Sequence, residues 1–159
     1  MTEDMDIRKA EIGDTKLVFK VVNDAYKVIV GDTGEAFKTV NRFQSEDEVE
    51  KMLNILFIGE SQGEVVGVVG AVVTGNVVDI GPLAVSTGCQ KMGIGRKLLD
   101  FAESQGDICN VHCCSLRLSN IAMYARRGYK QIKEVPGVEV LPLNILTRTD
   151  FTIKYFQKK

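Results

Sequence analysis

The sequence predicts a single α/β domain, built as a mixed, mostly antiparallel sheet of six to seven strands flanked by about four helices. Three observations lead there. Runs rich in Val, Ile and Phe alternate with short glycine turns over residues 54–85, as consecutive hairpins do. Around them lie stretches whose apolar residues recur every three to four positions, as in helices that cover a sheet. The 159 residues, 45% of them hydrophobic, suffice for one buried core, and no linker, repeat or low-complexity tract divides them.

Taken in order, Met5–Ala10 (MDIRKA) alternates weakly and reads as a first strand. Asp14 follows as the N-cap of a helix with Leu17, Val18, Val21, Val22 and Ala25 on one face. Val30 to Phe43 is glycine-spotted and irregular. Ser45 with Glu48 makes a capping box ahead of a short helix through Val49, Met52 and Leu53. Asn54–Glu60 and Glu64–Thr74 form a hairpin, and a turn at Gly75–Asn76 leads into Val77–Val85. Pro82 cannot donate to a ladder, so that strand must be an edge, bulged, or splayed from a neighbour there. A helix over residues 93–105 comes next, then a strand over Val111–Leu118 and a helix over Ser119–Arg127 closed by Gly128. Strands over Tyr129–Val135 and Asp150–Phe156 complete the chain, with Pro136, Gly137 and Pro142 breaking it between them.

The net charge of −1, with acids and bases interspersed, argues against a nucleic-acid partner. The acidic segment MTEDMDIRKA lacks the apolar core of a signal peptide, and no apolar run approaches the roughly 20 residues of a membrane span. Cys89, Cys109, Cys113 and Cys114 read as reduced thiols. The expectation is a cytoplasmic or nucleocytoplasmic protein, with no membrane partner and its oligomeric state open, a homodimer included. Cys109, His112, Cys113 and Cys114 suggest a metal set, but adjacent strand residues face opposite sides, so no metal is expected. His112, the sole histidine, reads as a partly exposed strand residue.

The junction from residue 85 to residue 106, VSTGCQKMGIGRKLLDFAESQG, carries chemistry. A helix N-terminus has unpaired N–H groups and about half a positive charge, and so takes anions. Gly93 and Gly95 let the backbone approach a bulky diphosphate, and Lys91 or Arg96 adds charge from the side. The Walker pattern is absent, and Leu98 stands where the dinucleotide fingerprint needs its third glycine.

What fits is Gln-x-x-Gly-x-Gly, here Gln90, Lys91, Met92, Gly93, Ile94 and Gly95. This resembles the acetyl-CoA-binding signature of the Gcn5-related N-acetyltransferases (GNAT). The strand ending Leu83-Ala84-Val85 before it and YARRGY, Tyr124 to Tyr129, after it also resemble that family. So does the element order over nearly the whole chain. Two departures stand out: Thr87 replaces a frequent proline, and Arg117 replaces a frequent asparagine seven residues before Tyr124, leaving Asn120 to substitute one turn later.

The resemblance implies acetyl-CoA as co-substrate, no metal, and transfer of its acetyl group to a primary amine in a ternary complex, with a small-molecule acceptor favoured. A protein or peptide acceptor, and a non-catalytic acyl-CoA-binding domain, are the alternatives. The resemblance further implies that the residue 77–85 strand splays from its neighbour and that Leu83 and Val85 offer backbone groups to the pantetheine arm, the Val85 N–H facing the carbonyl oxygen. Tyr124 matches the residue that protonates the coenzyme sulfur. Asp79, six residues before Val85, is the candidate base. The acceptor side falls to the variable segment Val30 to Phe43.

Overall fold

The computed structural model describes residues 5–27, 42–90, 92–141 and 150–159. Lys91, Pro142 and most of the segment from Val30 to Phe43 lie outside the described residues. Among those described, the strands are β1 (Asp6–Lys9), β2 (Leu56–Ser61), β3 (Glu64–Thr74), β4 (Val77–Val85), β5 (Ile108–Cys114), β6 (Lys130–Pro136) and β7 (Thr152–Lys158). The α-helices are α1 (Thr15–Lys27), α2 (Glu46–Met52), α3 (Ile94–Glu103), α4 (Leu118–Arg126) and the single turn α5 (Gly137–Val140). The strands join in the order β1-β2-β3-β4-β5-β7-β6. Every neighbouring pair is antiparallel except β4 and β5.

Two layers of core follow from the periodicities. On one face, Val18, Val21 and Val22 of α1 and Val49 of α2 bury against Leu56, Ile58 and Val68. On the other, Ile94, Leu98, Leu99 and Ala102 of α3 and Tyr124 of α4 bury against Val69, Ala71, Val78 and Val111. Leu17, expected on the buried face of α1, is 50% exposed, one position outside the stripe.

Asp14 is not the helix N-cap. It ends a 3₁₀ turn (Ile12–Asp14), and its carboxylate reaches back to the Glu11 N–H at 2.7 Å. It also takes both arms of Arg8, at 2.8 and 2.9 Å, and that guanidinium's hydrogen bonds hold its carboxyl below the ordinary value. Ser45 does cap α2, accepting from the Glu48 N–H, while the Glu48 carboxylate accepts from the Gln44 N–H instead of the cap's own.

The strand expected over Val111–Leu118 begins three residues earlier. The Asp107 and Ile108 N–H groups both dock on the Asn76 carbonyl, at 2.8 and 3.0 Å, which starts β5 directly after α3. The Arg117 N–H then closes a turn on the Cys114 carbonyl at 3.0 Å, and Leu118, 74% exposed, opens α4.

α4 ends as the sequence implies. The Gly128 N–H reaches the Ala125 carbonyl and the Tyr129 N–H the Tyr124 carbonyl, with Gly128 at φ 95° and the Tyr124 and Tyr129 rings 5.4 Å apart. This pair of bonds with its apolar contact is the Schellman ending. It explains why a glycine followed by an aromatic residue stands four and five positions after Tyr124.

Glu103 ties α3 to this corner. Its carboxylate accepts from Arg127 at 2.9 and 3.2 Å, from the Tyr129 hydroxyl at 2.8 Å and from Lys158 at 3.3 Å. Burial opposes its ionisation, but the hydrogen bonds from Arg127 and Tyr129 prevail and hold its carboxyl below the ordinary value. A depressed folded-state pKa gives stability that is present above the unfolded value and lost as pH falls through the folded one. Glu103→Gln is expected to cost about 1–3 kcal/mol at neutral pH and to flatten the acid limb of the stability curve below about pH 4.5, the usual carboxylate range. Urea melts of both proteins from pH 3 to 7 check this; parallel acid limbs would remove Glu103 from the account.

Candidate functional site

A break in the sheet creates the site. β4 and β5 pair only over Val77–Asp79 and Ile108–Asn110, after which β4 runs on without them as neighbours. Just past the last paired residue, β4 is irregular at Gly81 and Pro82. Ala71 pairs with Ile80 and Val69 with Leu83, so two residues of β4 oppose Gly70 alone. This is a β-bulge, and it inverts the alternation of the strand. Before it, Val78 and Ile80 join the α3-side core; after it, Leu83 and Val85 pack there and Ala84 joins the α1-side core.

The register fixes where the freed backbone points. The Ser86 N–H bonds the Val66 carbonyl at 2.8 Å, so Ser86 and Val66, and by alternation Ala84 and Val68, are the hydrogen-bonded pairs. Leu83 and Val85 therefore turn their N–H and C=O groups away from β3, toward the gap. The Gln90 side chain reaches across the following turn to the Val85 carbonyl at 3.4 Å.

At the end of β4 the chain turns through Thr87–Cys89 to Gly93, the N-cap of α3, whose φ of 81° suits glycine. Among the described residues, no side chain caps α3, and no acidic residue sits in its first turn. Its leading N–H groups are left to a ligand or water. A Cβ on Gly95 would meet only a Val85 methyl, at 3.4 Å. The side chain of Ile94 is core, 3% exposed, so only its backbone can serve the loop; Met92 and Arg96 are exposed.

Two adjoining clefts share Leu83, Gly95 and Met123. The smaller, about 390 Å³, lies between α3 and α4 and is flanked by Arg96 and Arg126. The larger, about 1030 Å³, passes through the gap between β4 and β5 and takes in Tyr124, Asn120, Arg117, Asp79 and His112. Tyr124 is 7% exposed, and burial first, then neighbouring Cys113, pushes its hydroxyl up to about 12. Among the described residues, nothing hydrogen-bonds that hydroxyl. Asn120 is half-buried on the cleft wall. The Arg117 Nε is buried, with no hydrogen-bond partner among the described residues.

Asp79 is exposed at the closed end of the gap, where its carboxylate accepts from the Asn110 amide at 3.0 Å; Gln157 in turn holds Asn110 at 3.0 Å. His112, two residues along the same face of β5, projects further into the gap. Loss of hydration within the cleft, and then Arg42, hold its pKa below 6.5, with Asp79 pulling the other way. Among the described residues, no group of three or more His, Cys, Asp and Glu side chains is placed to hold a metal ion. Cys113 faces the α3-side core and Cys114 packs with Phe151 and Ile153 on the opposite side, as strand alternation requires.

Sequence reasoning assigned the segment holding Arg42 to the acceptor side without singling Arg42 out, and did not place Tyr26, Lys133 and Tyr155 in this site. The described end of the irregular segment is anchored by Asn23 of α1, whose buried amide donates to the Phe43 carbonyl at 3.0 Å and accepts its N–H at 2.9 Å. That clamp brings Arg42 beside the Tyr26 hydroxyl. His112, Tyr155 and Lys133 form a row across β5, β7 and β6, with the two rings 5.5 Å apart and the Lys133 Nζ 4.6 Å from the Tyr155 ring centre. Only the pairing of distant strands makes that row.

Residues 53–131 match the family model described as an acetyltransferase (GNAT) domain. Comparison with curated proteins finds no match. Among solved structures, the Salmonella typhimurium protein yncA, determined with acetyl-CoA, is 18% identical with TM-score 0.68, over 98% of this chain and 94% of its own. The ribosomal-protein-S18-alanine N-acetyltransferase of Escherichia coli is 16% identical with TM-score 0.67, over 96% and 92%. Ard1 of Thermoplasma volcanium is 13% identical with TM-score 0.73, over 98% and 97%.

Proposed function

We infer that the chain belongs to the GNAT acetyltransferase superfamily, whose domain model matches residues 53–131, and on that premise that it moves the acetyl group of acetyl-CoA directly to a primary amine of a small molecule. The observation that carries this reading is the conjunction of the bulged, splayed β4 with the uncapped N-terminus of α3 at its end. A pantetheine arm needs backbone partners along an open strand, and a pyrophosphate needs N–H groups where it ends.

In this reading the backbone of Gln90, of residues 92–95 and of the first turn of α3 holds the pyrophosphate, with Arg96 and Arg126 adding charge. Leu83, Val85 and Asn120 hold the arm by hydrogen bonds. The Val85 N–H, aimed into the gap, stabilises charge developing on the thioester oxygen. The acceptor ammonium, with a pKa near 10, must lose a proton before it attacks. His112, whose pKa loss of hydration and Arg42 hold below the ordinary imidazole value, takes that proton, while Asp79 draws the amine toward it. The amine nitrogen bonds to the acetyl carbon, the carbon–sulfur bond breaks, and the Tyr124 hydroxyl, protonated throughout the assay range, donates to the leaving sulfur. The second proton shed by the acylated nitrogen returns through solvent to the Tyr124 oxygen.

A thermal melt with acetyl-CoA, beside ATP and NAD controls, tests the cofactor half. At a hundredfold its Kd, a ligand adds about 2.7 kcal/mol, and a domain of this size should gain roughly 5–10 °C. Gly95→Ala tests the loop. The added methyl finds room in the protein and favours the helix by up to about 1 kcal/mol, so the melting temperature should hold or rise while the acetyl-CoA shift shrinks. An undiminished shift would detach Gly95 from the coenzyme. For the base, His112→Asn should abolish the fall in rate that wild type shows as pH drops through the lowered histidine pKa. A profile that keeps this limb in His112→Asn and loses it in Asp79→Asn would move the role to Asp79.

A further inference from the structure

The acceptor end of the large cleft has a one-sided charge. Its described lining residues include the guanidinium groups of Arg42 and Arg117 and the ammonium group of Lys133, against a single carboxylate, Asp79. Asp79 is already held by the Asn110 amide. None of the three cations pairs with a carboxylate among the described residues. Arg117 is the most exposed to this imbalance in energetic terms, because its Nε is buried with no acceptor among the described residues, and an unmet buried donor on a charged group costs more than a neutral one. Arg42 is fixed in place from behind by the Asn23–Phe43 clamp and stands beside Tyr26. Arg42 stands by Tyr26 and Lys133 by the His112–Tyr155 row, whereas Arg96 and Arg126 flank the smaller cleft beside the α3 N-terminus, so Arg42 and Lys133 are not needed for the coenzyme phosphates.

We infer that the acceptor is an anionic amine, a primary amine bearing a carboxylate, whose carboxylate is bound by Arg42 and Arg117 while its amine points to His112 and Asp79. Arginine suits the task because its planar fork meets a carboxylate with two parallel hydrogen bonds. The division of charge within the cleft sets the polarity: the basic end takes the anion and Asp79 attracts the ammonium. A polyamine finds the wrong field here.

This inference rests on the acetyltransferase reading, and the experiment separates the two. Coenzyme A thiol release is measured with glycine, β-alanine, aspartate and glutamate, each against the carboxamide of the same amine, and with spermidine as the cationic probe. At least one carboxylate is expected to exceed its carboxamide in kcat/KM by about tenfold or more, as a charge-assisted hydrogen bond gives. Arg42→Gln, a change at an exposed side chain, should raise KM for that carboxylate about tenfold and narrow its advantage over the carboxamide. Three results would overturn the inference: carboxamides or spermidine as the better acceptors, a preference untouched by Arg42→Gln, or an acetyl-CoA melting shift with no carboxylate turned over. Absence of the acetyl-CoA shift would bring down the parent reading, and this one with it.

Discussion

Tyr124→Phe is expected to lower kcat about a hundredfold, the low end of what a positioned general acid contributes, with acetyl-CoA still bound as tightly. The substitution is a clean one. The ring keeps its contacts with Tyr129 and Phe156, at 5.4 and 5.8 Å. No hydrogen bond to its hydroxyl is lost among the described residues, so the melting temperature should stay within about a degree or two. Because burial raises the hydroxyl to about 12, it is a proton donor at every usable pH, and wild type should show no alkaline loss of rate from this group below about pH 11. Steady-state kinetics and an acetyl-CoA melting shift, run side by side, decide the matter. Unchanged kcat sinks the acid role. A fall in acetyl-CoA affinity that accounts for the whole loss would make Tyr124 a binding group.

Why Tyr124 was legible in the sequence as a residue, and Arg42 only through its segment, is a question of distance along the chain. Tyr124, Gly128 and Tyr129 belong to one helix ending, whose hydrogen bonds are local, so the spacing alone carries the geometry. The same holds for the β2–β4 hairpins and for Gly93 at the start of α3. Pro82 announced an irregular strand for a local reason as well. Arg42 reaches the cleft only because Asn23, nineteen positions earlier, ties Phe43 to α1. Tyr155 and Lys133 meet His112 only through the β5-β7-β6 order. Asp14 was misplaced for a related reason: its shape suits an N-cap, but Arg8 on β1 claims its carboxylate. The end of β5 was overrun because Leu116 and Leu118 look like strand residues, whereas the turn that closes on Cys114 is made by backbone bonds that composition does not reveal.

Gly70→Ala should damage both stability and cofactor binding, since the bulge that opens the sheet is packed on this glycine. A Cβ at position 70 would lie 2.2 Å from the Gly81 carbonyl oxygen and 3.0 Å from the Pro82 ring. Both obstacles belong to backbone or a ring closed on it, so neither can swing away. Forcing a methyl group into such a space costs about 1–3 kcal/mol, which is roughly 2–12 °C for a domain of this size. The functional effect should exceed what instability alone explains. If β4 relieves the clash by shifting along β3, the alternation after Gly81–Pro82 changes, and Leu83 and Val85 no longer direct their N–H groups into the gap. The acetyl-CoA shift should then vanish at temperatures where the variant remains folded. Gly13→Ala serves as the control, because a Cβ there meets nothing within 4 Å and the position lies in the turn before α1, away from the clefts. A Gly70→Ala protein that melts with the control and still responds fully to acetyl-CoA would show that the bulge does not depend on Gly70. The open strand would then need another explanation within β4 itself.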